Sequence, residues 1–218
     1  MSMKQILFNT EMVRAILDGR KSCTRRIVKH DVKAILNSPY HKEHPEVEDK
    51  QIISKLCMPP YQIGDILYVR ETWCKGLERY IYRADYSDTE KFYQGGKEIE
   101  MKWHPSIHMP KEAARIWLKV TDVRVERLQD ITEDETFEEG LDFTPPCLHL
   151  TGENYCDIDG PCTSKIKYCD MSSGELFGEV LWNPTIKKSD LDRYGWDANS
   201  WVWVIEFERC EKPESEGN

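Results

Sequence analysis

The C-terminal run Trp201-Val202-Trp203-Val204-Ile205-Glu206-Phe207 constrains this chain more than any other stretch. Strand side chains alternate between two faces, and here both sets are largely apolar, so the strand is too apolar for both faces to meet solvent. Trp201 and Trp203 share one parity and read as packing groups, as do Trp182 and Trp196. A second long stretch, Arg115 to Leu128, alternates through Ile116, Leu118 and Val120 and then through Val123 and Val125. The phase slips at Thr121-Asp122, where a bulge or a hairpin-like bend fits. Ile66 to Glu71, behind the turn Ile63-Gly64-Asp65, reads as a strand, and Arg79 to Ala84 as another, followed by a long acidic loop from Asp85 to Glu100.

Helical patterns are few. Residues Thr10 to Gly19 repeat Met12, Val13, Ile16 and Leu17 on one face, with Thr10 as the cap and Gly19 as the left-handed stop. Ile131-Thr132-Glu133-Asp134 supplies a capping pattern for a short acidic helix ending near Gly140. Residues 30 to 60 hold His, Lys, Glu and Pro without a sustained period and read as a surface excursion. From 143 to 195 the texture turns to Pro145-Pro146, glycines and cysteines, with one helix near Glu175 to Leu181, and this segment reads as an insertion. Separated strands with short helices between them predict an α+β fold on a mixed or barrel-like sheet, one domain over residues 1–218 with the insertion inside it. No βαβ unit is visible.

No stretch approaches the roughly 18 apolar residues of a membrane span, and the N-terminus has no apolar run of signal-peptide length. A cytoplasmic chain with no membrane partner is the expectation. The formal net charge of -9 repels a phosphate backbone and argues against tight, sequence-blind duplex binding, while leaving room for a local site for one strand or one nucleotide.

Against that acidic background, Gly19-Arg20-Lys21-Ser22-Cys23-Thr24-Arg25-Arg26 concentrates cations around hydroxyls and a thiol. A lysine serves as base or nucleophile only when its proton can leave near neutrality, and burial beside other cations has that effect. Thr24 offers a hydroxyl that needs such a base within reach. Positions 21 and 24 point to opposite faces of an extended strand, so the pair requires Lys21 to lie on the bend after Gly19. Ser22 and Cys23 are competing nucleophiles, and the alternative for the whole stretch is a solvated cationic face with Arg20, Arg25 and Arg26 in water.

The helix followed by Gly-Arg-Lys-x-x-Thr-x-Arg, then Gly64-Asp65-Ile66-Leu67-Tyr68-Val69-Arg70-Glu71-x-Trp73 and the closing Val204-Ile205-Glu206-Phe207 strand, resembles the ASCH family of PUA-like barrels. Trp103-x-Pro105-Ser106-Ile107-His108-Met109-Pro110 and Trp196-Asp197-Ala198-Asn199-x-Trp201-Val202-Trp203 resemble members found in phages and prophages. The likeness covers most of residues 4–142 and 194–209. It implies a PUA-like mixed barrel with short flanking helices and a nucleoside or single-stranded RNA as partner. One small bacterial member is an amidohydrolase that removes the acetyl group of N(4)-acetylcytidine. Its catalytic Lys-x-x-Thr falls on Lys21 and Thr24 here, and aligning the start of the acidic helix puts its glutamate on Glu139, one residue from Glu138. The implied mechanism needs no cofactor. The other activity that the fold implies is RNA or modified-base binding without chemistry, and a third reading is a phage-encoded interaction protein.

Further candidates flank these. Arg20 and Arg26 can hold a nucleotide; Trp73 beside Arg70 offers a base platform, and Glu71 can accept from a cytosine amine. Ser106 and His108 sit in a Pro-flanked segment that can reach a phosphate or a reacting group. In each case an ordinary packing or surface role is the alternative. Cys147, His149, Cys156, Cys162 and Cys169 are enough ligands for a structural tetrahedral zinc, although no C-x2-C pair occurs, and free thiols are the alternative.

Overall fold

The computed structural model describes residues 2–77, 79–141 and 171–213. In chain order the elements are β1 (Met3–Leu7), α1 (Thr10–Leu17), β2 (Cys23–Ile27), α2 (Val32–Leu36), α3 (Pro39–Glu43), α4 (Asp49–Leu56) and β3 (Ile66–Arg70). There follow β4 (Trp73–Lys75), β5 (Tyr80–Tyr82), β6 (Phe92–Gln94), β7 (Lys97–Ile99), β8 (Trp117–Arg127), α5 (Glu133–Glu138), α6 (Ser173–Leu176), α7 (Leu191–Tyr194) and β9 (Trp201–Cys210). The class is α+β.

Five strands form one sheet in the order β1-β3-β8-β9-β2, and β4-β5 and β6-β7 form two small hairpins. The large sheet is mixed: β1 runs parallel to β3, Met3 opposite Ile66 through Leu7 opposite Arg70, and β3 runs antiparallel to β8, Ile66 opposite Lys119. The parallel pair is no βαβ unit, because β2 of the same sheet lies between its strands in sequence. Residues 201–205 of β9 are buried without alternation, as its apolar run requires. Strand β8 is a single strand of 11 residues, which removes the hairpin-like bend at Thr121-Asp122. The phase slip is nonetheless present: burial falls on Leu118 and Val120, then on Val125.

The chain falls into two compact units, one of Met1–Thr24, Met58–Arg124 and Val204–Asn218, the other of Arg25–Cys57 and Val125–Trp203. The first unit buries Ile6, Val13, Ile16, Leu67, Leu118 and Ile205. Helix α1 joins that core through Val13, Ala15 and Ile16, with Asn9 rather than Thr10 as its cap, accepting from Met12 N at 2.8 Å. The second unit buries Val28, Ile52, Ile53, Leu128, Phe177 and Trp182. Residues 30–60 are therefore not a plain surface excursion. Helix α4 hides Ile52 and Ile53, each contributing about 2 kcal/mol through burial, which holds a helix that has little amphipathic length of its own. The helix expected near Glu175 is present as α6, with a Ser172/Glu175 capping box, and continues into a π-helical turn over Phe177–Trp182. Gly178 in that turn is required by packing, since a Cβ there would overlap the Trp196 ring.

Candidate functional site

In the first unit the site begins where α1 stops. Gly19 takes φ +78, which a side-chain-bearing residue adopts only at a cost, and the reversed chain lets Arg20 N and Lys21 N both donate to Ala15 O, at 2.9 and 3.0 Å. That turn carries Lys21 inward to 3% exposure, on the bend ahead of β2 as the catalytic reading requires. Its Nζ donates to Cys23 O at 2.7 Å and stands 5.5 Å from the centroid of the Phe8 ring, itself packed on Phe207. Thr24, the second residue of β2, is 1% exposed. Lysine is among the residues least often fully buried, because an amine withdrawn from water must be repaid by partners. A buried lysine with a buried hydroxyl residue three positions on is thus an uncommon arrangement for a surface-cation motif. Ser22 is half-buried and Cys23 buried, and Arg20 is exposed with its Nη2 3.1 Å from Asp18 Oδ2.

The other candidates of this unit sit in structural networks. The Arg70 guanidinium donates through Nε to Met109 O at 2.7 Å, through Nη1 to Gln5 Oε1 at 2.6 Å and through Nη2 to Ile107 O at 2.5 Å. It thereby clamps the segment carrying Ser106 and His108 onto β1 and β3; Ser106 is half-buried and His108 exposed. Glu71 is buried and receives both Nε and Nη2 of Arg115, at 2.8 and 3.0 Å. Arg115 also bonds Asp85 at 2.7 and 2.8 Å and lies over the Tyr82 ring, 4.0 Å from its centroid. Burial works against the Arg115 charge, and the hydrogen bonds it donates to Glu71 and Asp85 overcome this and raise the group above its ordinary value. Trp73 is half-buried between His104 at 5.0 Å and Tyr80 at 5.5 Å, and its Nε1 is buried with no hydrogen-bond partner. Arg115, Asp85 and Tyr82 escaped sequence reasoning, because nothing local marks a pairing of residues 44 positions apart.

In the second unit, α5 is built by a Thr132/Glu135 capping box and ends as Gly140 takes φ +90, with Leu141 N returning to Thr136 O at 3.1 Å. Glu139 is the C-cap and is 3% exposed. Its Oε1 lies 3.3 Å from Arg25 Nη1, while Arg25 Nη2 is 3.0 Å from Glu135 Oε2 and 3.8 Å from Glu126 Oε2. Arg25 is 2% exposed, so the alternative of a solvated cation fails for it: three carboxylates, two of them from the acidic helix and its cap, occupy its two terminal nitrogens. Its Nε is buried without a partner. Arg26 is half-buried, its Nη1 3.5 Å from Arg25 O.

Among the described residues no group of three or more His, Cys, Asp or Glu is placed to hold a metal ion, and no helix is long and apolar enough to cross a membrane. Cys147, His149, Cys156, Cys162 and Cys169 lie outside the described residues. Comparison with protein-family models, with curated proteins and with solved structures returns no match to this chain.

Proposed function

We propose that this chain is an ASCH-type, PUA-like protein that recognises a nucleoside or single-stranded RNA, and that it deacylates N(4)-acetylcytidine or a similar amide. The observation that carries the reading is that Lys21, on the bend after Gly19, and Thr24, in β2, are each buried, where a plain cationic face would leave the lysine in water.

In the proposed reaction Lys21 acts as the base that takes the proton of the Thr24 hydroxyl, and Oγ1 attacks the acetyl carbonyl. The carbonyl carbon becomes tetrahedral, the bond to the exocyclic nitrogen of cytosine breaks, and the proton held by Lys21 goes to that nitrogen, releasing cytidine. Water, giving its proton to Lys21, then opens the acetyl-Thr24 ester to acetate and restores the hydroxyl. The resemblance implies Glu139 as the third catalytic group, for the proton of the leaving amine or the orientation of the base.

The test is release of cytidine from N(4)-acetylcytidine, followed by chromatography. Turnover at least about a hundred-fold above that of Lys21→Ala is the expected result. Equal rates in the two proteins would remove the enzyme reading for this substrate, and binding of cytidine-containing RNA without turnover would put a non-catalytic base-binding module in its place.

A further inference from the structure

We propose that Phe8 is a positioning residue for Lys21, its ring face fixing the amine that the Gly19 bend carries inward. The contact lies wholly within the first unit. Its catalytic meaning rests on the deacylation reading above.

A lysine amine sits at the end of a flexible stem and carries three rotatable donors, so a single hydrogen bond, such as that from Nζ to Cys23 O at 2.7 Å, leaves its direction open. A ring face supplies a second constraint. Lys21 Nζ stands over the Phe8 ring, 5.5 Å from its centroid, where the negative potential of the face attracts a cation. That attraction strengthens when both groups leave water, and both residues are buried. An aliphatic side chain in place of Phe8 would fill the same core and offer the amine nothing on that side.

The ring is anchored by the elements around it. Phe8 N donates to Arg70 O at 3.2 Å, which carries the β1–β3 pairing one residue beyond Leu7. The ring packs on Phe207, 6.1 Å between centroids at 50°, and Phe207 N donates to Ser22 O at 2.8 Å, so the brace is bonded to the residue next to Lys21. Asn9, directly after Phe8, caps α1, and the Gly19 turn that precedes Lys21 ends it. The contact thus ties the two flanks of α1 together.

The experiment replaces Phe8 in the full chain by mono-, di- and trifluorophenylalanine, which keep the ring's shape and progressively weaken the negative potential of its face. Turnover of N(4)-acetylcytidine is expected to fall stepwise, about ten-fold with three fluorines, at unchanged KM and melting temperature. NMR of the Lys21 side chain supplies a readout that needs no turnover: its ε-methylene is expected upfield through the ring current, with an order parameter that falls as fluorines are added. A parent protein without turnover would remove the deacylation reading, and the NMR series would still decide whether the ring holds the amine. An unshifted ε-methylene, or a side-chain mobility indifferent to the number of fluorines, would overturn the proposal, as would a turnover that ignores them.

Discussion

Arg25 and Glu139 stand 114 positions apart in the chain and meet in a buried ion pair, Nη1 to Oε1 at 3.3 Å. Through its other terminal nitrogen Arg25 also bonds Glu135, whose Oε2 accepts at the same time from Thr132 N at the head of α5. One guanidinium thus ties its segment of β2 to both ends of the acidic helix.

Arg25→Met is expected to destabilise the protein by about 3 kcal/mol, at the low end of the cost of breaking a buried pair because Glu135 is partly solvated. Arg25→Lys keeps the charge on a single nitrogen and cannot span both carboxylates, so its loss is smaller. Urea unfolding monitored by tryptophan fluorescence measures both; a loss below about 1 kcal/mol for Arg25→Met would show that the pair does not hold α5.

The parts of this arrangement that are local in sequence were legible there. The apolar repeat of α1, the glycine that stops it, the Thr132 capping box and the apolar run of β9 all act within a few residues of themselves. What was not legible is set by distance or by brevity. Helices α2 and α3 have five residues each, too few to show a period, and Asn9 wins the cap from Thr10 by side-chain geometry alone. Arg25 reads as one cation in a basic run, because the carboxylates that consume it lie more than 100 positions away.

Gly19→Ala isolates the backbone contribution to the bend. A Cβ at this position would meet nothing within 4 Å, so the cost is conformational and amounts to about 1–2 kcal/mol. Because the same φ directs Arg20 N and Lys21 N to Ala15 O, relaxation of the turn is expected to lower any turnover that depends on Lys21 by more than the fall in stability accounts for. Melting curves together with rates on N(4)-acetylcytidine separate the two effects; an unchanged melting temperature would show that the turn tolerates a side chain.

Asp65 gives the first unit an acid-sensitive joint. Burial alone raises its carboxyl, and hydrogen bonds from Lys4, with Nζ 2.7 Å away, and from Gln62 N at 2.9 Å overcome this and hold it below its ordinary value. A group depressed in the folded state contributes stability above its unfolded pKa and loses it as pH falls through the folded one, so this contribution declines below about pH 5. Asp65→Asn is expected to be less stable than the parent at pH 7 and to approach it at acid pH. A constant difference across that range, measured by denaturant unfolding at each pH, would rule out the linkage.

Thr24 provides the sharpest division between chemistry and packing. Thr24→Val preserves shape and removes the hydroxyl, whereas Thr24→Ser preserves the oxygen and opens a small void at a site with 1% exposure. If Thr24 is the nucleophile, valine removes turnover on N(4)-acetylcytidine by about a thousand-fold or more and serine retains it within about ten-fold, although serine leaves the larger hole in the core. A purely structural threonine gives the reverse order, with valine active and serine impaired in step with its stability. The two orders cannot both hold, so paired rates and unfolding free energies for these variants decide whether the hydroxyl behind the Gly19 bend reacts or only packs.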